Sequence, residues 1–171
     1  MHVQPSDFTA AMRLFPAAVS IVTTGTEMAR GGLTATAVMS LTAEPPQIAV
    51  AVNRGASAFP HIVANGCFCV NTLATSHEGI ARGFAGGRKG DERFADGAWM
   101  MLSTGSPALS DAVMSLDCRG VQAIDFSSHS LLIGSVVAVR RNPDAVPLLF
   151  LNGRYFGAEV DRSAYASAVA R

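Results

Sequence analysis

The stretch Gly31-Gly32-Leu33-Thr34-Ala35-Thr36-Ala37-Val38-Met39-Ser40-Leu41-Thr42-Ala43-Glu44-Pro45-Pro46 decides how this chain is read. It scans as a β-strand, yet its centre carries alanine, threonine and serine. A strand that only filled a core would use larger β-branched and aromatic side chains, because small ones forfeit cross-strand packing. Small residues there mean either close sheet packing or room left for something else. We read the second: a flat ligand lies against the strand, Thr34, Thr36 and Ser40 offer hydroxyls, and Ala35 and Ala37 permit close approach.

At 171 residues the chain is expected to form one domain over 1–171, with its core at about residues 8–157. Charged residues make up 15% and hydrophobic ones 49%, against about 25% charged in a typical domain. An obligate oligomer would bury that apolar surplus. The net charge of zero offers no electrostatic footprint for nucleic acid or an anionic membrane, and neither is expected as a partner. Met1-His2-Val3-Gln4-Pro5 has neither a basic n-region nor an apolar h-region, so no signal sequence is expected, and no segment approaches the roughly 20 apolar residues of a membrane span. The expected location is the cytoplasm.

Upstream of the opening stretch, Ser6-Asp7 starts a helix in which Phe8, Met12 and Phe15 form one apolar stripe, and Pro16 ends it. Ala18 to Thr24 is rich in Val, Ile and Thr and reads as a strand. Gly25 and Gly31-Gly32 bracket a turn that pairs it with the opening stretch in a hairpin. Downstream, Pro45-Pro46 forces an extended break. From Gln47 to Asn53, the bulky Ile48, Val50 and Val52 alternate with Ala49, Ala51 and Asn53, giving one bulky and one small face. Asn53-Arg54-Gly55-Ala56-Ser57 then turns into a short helix that Ser57 caps and Gly66 closes. That helix start is either an ordinary cap or, with its amides, hydroxyl and arginine, an anion site.

Cys67 to Leu73 is a further strand, and Ser76 caps a helix over His77 to Ala85 that carries Ile80 and Phe84. Gly86 to Arg93 reads as a mobile surface segment: either a solvated connection or a loop that brings Lys89 or Arg93 beside a ligand phosphate. Phe94 and Trp99 anchor the chain after this segment. Strands over Val113 to Ile124 and Leu131 to Val139 flank the polar turn Asp125 to Ser130, which sets His129 just ahead of a long apolar strand. Leu148 to Leu151 is a last short strand before Gly153-Arg154-Tyr155-Phe156, and beyond Asp161 a terminal helix or tail is expected. Many short strands, few helices and frequent turn signals make the fold mostly β, an antiparallel barrel.

Chemistry built from side chains alone finds little support. His2, His61, His77 and His129 show no metal-ligand spacing, so no metal is expected. Cys67, Cys69 and Cys118 are odd in number and lack a secretion signal. They read as small buried apolar residues rather than as a disulfide or redox pair. There is no Gly-x-Ser-x-Gly elbow, no Gly-x-Gly-x-x-Gly after a strand and no outstanding carboxylate pair. What remains is a cofactor that brings its own reactivity.

Several motifs appear in a fixed order: Gly32 to Val38, Ser40 ahead of Pro45-Pro46, Asn53-Arg54-Gly55-Ala56-Ser57, Cys69-Val70-Asn71-Thr72-Leu73, Arg93-Phe94, His129 before a strand, and Gly153-Arg154-Tyr155. This order resembles the short-chain flavin reductases, the small components of two-component flavin-dependent monooxygenases. The resemblance runs from Phe8 to Tyr155. It implies a split β-barrel of the FMN-binding type, a homodimer, and NAD(P)H-dependent reduction of FMN or FAD that supplies reduced flavin to a partner monooxygenase. By the same resemblance, Thr34, Ala35, Thr36 and Ala37 lie along the isoalloxazine and ribityl chain, and Ser40 bonds near the ring's polar edge. Asn53, Arg54, Gly55 and Ser57 receive the ribityl and phosphate groups, Phe84 and Lys89 line the phosphate side, and His129 and Tyr155 shape the nicotinamide pocket, with His129 as the catalytic candidate. The chain departs from the family pattern at Ser127-Ser128-His129, where many members have Gly-Asp-His, and at Gly134-Ser135, where they have Gly-Glu. A non-catalytic flavin store or redox sensor and an FMN-dependent oxidase on the same barrel are the rival readings.

Overall fold

A computed structural model describes residues 3–26 and 29–158; the helix or tail expected beyond Asp161 lies outside the described residues. Seven strands form one antiparallel sheet: β2 (Ser20–Thr24), β3 (Gly31–Ala35), β4 (Val38–Ala43), β5 (Pro46–Asn53), β6 (Cys67–Thr72), β9 (Met114–Asp125) and β10 (His129–Arg141). Their order is β3-β2-β6-β9-β10-β5-β4. β3 and β4 therefore occupy the two ends of the sheet, although only Thr36 and Ala37 separate them in sequence. With two residues between them, Ala35 and Val38 lie at most about 11 Å apart, so the sheet must curl until its ends nearly meet. The result is a barrel with one open seam, a split β-barrel.

The stretch expected to be one strand is thus two. The Ala37 carbonyl, at the break, accepts from the Ala51 amide of β5 at 3.0 Å, and β4 runs on against β5 with Val38 opposite Val50. The strand expected over Ala18 to Thr24 is interrupted in the same way at Val19. Before that break, β1 (Ala17–Ala18) joins β11 (Leu148–Leu151) and β12 (Arg154–Gly157) in a separate three-stranded sheet. The expected hairpin of β2 and β3 is present, with Ile21 opposite Thr34.

The alternation of β2 feeds two cores. Val22 packs inside the barrel with Ile48, Val50, Val52, Ile62, Phe68, Val70 and Leu132. Ile21 points the other way, into a cluster with Val19, Leu73, Ile80, Phe84, Phe94, Leu109 and Leu148. Burial on both faces explains why every residue of β2 is buried. Helix α2 (Phe59–Asn65) plugs the barrel through Ile62. Gly66 ends it with φ of 62°, a left-handed conformation that glycine adopts at little cost.

The N-cap of α2 is Ala58 and not Ser57; the Ser57 hydroxyl accepts from Arg93 at 3.1 Å. After β6, a tight turn (Thr75–His77), helix α3 (Glu78–Arg82) and a wide turn (Gly83–Gly87) replace the helix expected over His77 to Ala85. No Ser76 cap forms. The buried His77 ring turns back, and its Nδ1 accepts from the Ala74 amide at 3.1 Å. Helix α1 (Pro5–Met12) forms but starts at Pro5 and ends before Phe15, and it buries no residue; Phe8 is 61% and Phe15 65% exposed.

A short hairpin of β7 (Trp99–Met101) and β8 (Pro107–Leu109) carries no clear sequence signal. It is pinned by a buried polar cluster centred on Asn71. The Asn71 Nδ2 donates to the Ile21 and Pro107 carbonyls, each at 3.3 Å. Its Oδ1 accepts from the Leu109 amide at 2.9 Å and the Ser115 hydroxyl at 2.8 Å. Beside it, the buried Asp117 accepts the Thr104 amide at 2.7 Å. One amide side chain thereby joins β2, β8 and β9. Asn71→Ala would strand several buried partners at once and is expected to lower the unfolding free energy by about 3 kcal/mol in urea titration. A loss below about 1 kcal/mol would show that the cluster is replaceable.

Candidate functional site

The open seam becomes a groove. About 340 Å³ of space is lined by Leu33, Thr34, Ala35, Thr36 and Ala37 on the broken strand, by Ala51 and Asn53 on β5, and by Ala56, Phe84, Ala85 and His129. Its size falls in the range of small-molecule sites. The lining reflects the sequence pattern: the small face of β5 and the alanines of the seam give low walls, and polar groups stand at one end. Phe84 closes the other side and is only 3% exposed. Its ring sits so near β3 that a Cβ on Gly32 would lie 2.7 Å from Cε1, so residue 32 must be glycine. Phe84 is itself held by Phe94 and Trp99, with ring centroids at 5.0 and 5.7 Å.

At the polar end, His129 opens β10 directly opposite Asn53 on β5. The Asn53 Oδ1 accepts the Gly55 amide at 2.8 Å, an Asx turn that shapes the 53–57 segment. The Arg54 amide donates to the Ser128 carbonyl at 3.0 Å, tying that turn to the His129 turn. The Ser128 hydroxyl lies 2.9 Å from His129 Nδ1.

The segment expected to be mobile is ordered by its charges. The Arg93 Nη1 donates to the Gly32 carbonyl at 3.0 Å and to the Ser57 hydroxyl at 3.1 Å, and its Nε donates to the Arg88 carbonyl at 3.0 Å. One guanidinium thus fastens the loop, β3 and the 53–57 turn together. Arg30 adds a second tie: its Nη2 donates to Asp91 at 3.1 Å and its guanidinium lies 4.4 Å above the Phe94 ring. The hydrogen bond from Arg30 holds the Asp91 carboxyl below its usual range.

Of the residues expected at the site, Thr34, Ala35, Thr36, Ala37, Asn53, Phe84 and His129 come together along the groove. Ser40, Arg54, Gly55, Ser57, Lys89 and Tyr155 do not line it. Ser40 is farther along β4, opposite Ile48. Arg54 stands 3.8 Å from Asp125 in an exposed ion pair, and Ser57 is held by Arg93. Lys89 is exposed just before the turn Gly90–Phe94. Tyr155 belongs to the separate three-stranded sheet, where its ring stacks 5.1 Å from Phe150 and lies under Arg82 at 4.9 Å. The Thr34 hydroxyl donates to the Ala81 carbonyl at 2.7 Å, so it can offer a ligand only its lone pairs. Leu33, Ala51, Ala56 and Ala85 were not singled out as contacts. The small face of β5 was the available signal for Ala51, whereas nothing in the sequence marks Ala85.

Split antiparallel barrels with a groove at the seam are ligand-binding barrels, and this groove suits a flat ligand with a polar end. The chain matches the family model described as "Flavin reductase like domain" over residues 12–159. It is 42% identical over 163 residues to the FMN reductase (NADH) RutF of Variovorax paradoxus, covering 90% of this chain and 91% of that protein. A putative flavin reductase from Haemophilus somnus superposes with a TM-score of 0.88 at 35% identity, covering 91% of this chain and 100% of the other. Nitrilotriacetate monooxygenase component B from Mycobacterium thermoresistibile gives 0.82 at 27% identity, with 90% and 86% covered. The chain belongs to the flavin reductase-like domain family. The donor set agrees with a flavin: alanine walls admit a flat ring, and the amides, hydroxyls and arginines around Asn53 and Ser57 suit a ribityl phosphate.

The thiols stand apart from this site. Burial, reinforced by the charge of Asp117, pushes the Cys118 thiol up to about 12, and burial raises that of Cys69 further. Neither forms a thiolate at ordinary pH, in keeping with the buried apolar reading of both; Cys67, expected to be buried as well, is only half-buried at the start of β6. In the native protein at pH 8, a thiol-specific disulfide reagent is expected to modify at most Cys67, which is partly exposed, and all three cysteines only after denaturation. Rapid modification of two or three native thiols would contradict this.

Proposed function

We propose that the protein is an NAD(P)H:flavin oxidoreductase that takes FMN or FAD as an exchangeable partner and uses NADH as hydride donor. The single observation that carries the reading is the small-walled groove at the barrel seam in a chain of this family. Bound flavin supplies the ring that accepts a hydride from the reduced nicotinamide. The protein's part is positioning: two stacked rings held at reacting distance convert a bimolecular encounter into an effectively unimolecular one.

In this reading Ala35, Ala37 and Ala51 let the ring approach the strands, and Thr36 and Ser40 offer hydroxyls to its polar edge. Asn53, Arg54, Gly55 and Ser57 receive the ribityl and phosphate groups, with Arg93 holding Ser57 and Lys89 adding positive charge nearby. Phe84 backs the groove, and His129 stands on the nicotinamide side. Tyr155 reaches that pocket only if a second copy or a bound dinucleotide brings the three-stranded sheet to it.

The FMN reductase name of the RutF relative supports FMN with NADH. Reduced flavin then passes to a flavin-dependent monooxygenase, a role supported by the likeness to a monooxygenase component B. The working unit is a homodimer: Phe8, Met12, Phe15, Met39 and Leu41 are all exposed, and a second copy would cover such surface. The working place is the cytoplasm, where nicotinamide cofactors are supplied.

Loss of nicotinamide absorbance, followed with NADH or NADPH and with FMN or FAD, tests the reading. Turnover that rises with added free flavin is expected. A protein that binds flavin yet oxidises neither nicotinamide in any combination would overturn it in favour of storage. Two variants refine the same assay. Thr36→Leu, which fills the groove, is expected to raise the flavin Kd by about tenfold or more; unchanged affinity would return the seam to a packing role. His129→Ala is expected to lower kcat/KM for NADH about tenfold with flavin affinity nearly unchanged. Reduction rates equal to the parent's in stopped flow would remove His129 from the nicotinamide side.

A further inference from the structure

His129 faces the groove with one ring nitrogen already engaged. Its Nδ1 lies 2.9 Å from the hydroxyl of Ser128, the residue before it. Two backbone bonds hold the turn that carries it. The Ser128 carbonyl accepts the Arg54 amide at 3.0 Å, and the Phe126 amide donates to the His129 carbonyl at 2.8 Å, closing the turn. The charged groups beside this turn are Asp125 and Arg54, and they engage each other at 3.8 Å. Asp125 also accepts from the Ser130 hydroxyl. The other groove-lining residues, Leu33 to Ala37, Ala51, Asn53, Ala56, Phe84 and Ala85, include no titratable side chain. The histidine's partner is therefore a neutral hydroxyl and not a carboxylate.

The unprotonated imidazole nitrogen is a much better acceptor than a serine oxygen, so the favoured bond runs from hydroxyl to ring. We propose that the Ser128 hydroxyl donates to His129 Nδ1 and so holds the ring as the neutral Nε2–H tautomer, which presents an N–H donor to an acceptor oxygen of the bound ligand. Ser128 is a positioning residue that acts through His129. This inference rests on the reading of His129 as the nicotinamide-side residue, which the His129→Ala kinetics test separately. It also explains how the chain orients this ring with serine where an aspartate is common. A hydroxyl that donates to Nδ1 leaves Nε2 as the nitrogen that carries the proton and so fixes the direction of the ring's donor.

The test combines ring nitrogen NMR with steady-state kinetics. In the parent protein, with the signals of His129 assigned by their loss in His129→Ala, Nδ1 is expected to appear as the acceptor and Nε2 as the protonated nitrogen. Ser128→Ala is expected to give a mixture of tautomers and about a threefold lower kcat/KM for NADH, with flavin affinity unchanged. A ring protonated mainly on Nδ1 in the parent would overturn the proposal, as would a tautomer unaltered in Ser128→Ala. Silent His129→Ala kinetics would remove the nicotinamide-side role while the ring spectrum still decides the tautomer.

Discussion

The structure depends on a constraint of connectivity: β3 and β4 are joined by two residues yet lie at opposite ends of a seven-stranded sheet. No flat sheet satisfies both conditions. The sheet has to curl, and because Thr36 and Ala37 pass from one end to the other, β3 and β4 do not pair with each other. The seam they leave is where the groove forms. The binding space is thus a consequence of how the barrel closes and not a cavity carved from a finished core.

A seam is a weak line in a sheet, since strand edges there lack ladder partners. This protein reinforces it with side chains. Arg93 joins the Gly32 carbonyl on one wall to Ser57 in the turn beyond the other and to the Arg88 carbonyl in its own loop. The Phe84, Phe94 and Trp99 rings pack on one another, with Arg30 over Phe94, and the wall residue Phe84 is buried among them. Asn71 does comparable work on the far side of β2, where it replaces missing ladder bonds between β2 and the β7–β8 hairpin. Small side chains line most of the groove, bonded polar and aromatic ones hold its walls in place, and Phe84 and Thr34 belong to both sets.

Much of this was legible in the sequence. The alternation of bulky and small residues from Gln47 to Asn53 showed both the strand and the face that became the groove wall. The small residues of the opening stretch marked the site, and family resemblance supplied the flavin. The break at Thr36-Ala37 was hidden because Thr and Ala have no turn signature, and only the sheet order forces the chain to bend there. The ordered loop was missed because Gly86, Gly87 and Gly90 signal mobility locally, whereas its order comes from long-range bonds made by Arg93 and Arg30. Ser57 was misassigned as a cap for a related reason: the hydroxyl was visible, but its competing partner lay 36 residues away. Asn71 belonged to a recognised motif without an evident task, which proved to be structural.

The central claim is that flavin occupies the seam between β3 and β4. A crystal structure of the protein with FMN tests it most directly. The account predicts the isoalloxazine ring against Thr34 to Ala37 and Ala51, with the phosphate toward the Asn53 to Ser57 turn. Ring density elsewhere, with the seam unchanged, would contradict it.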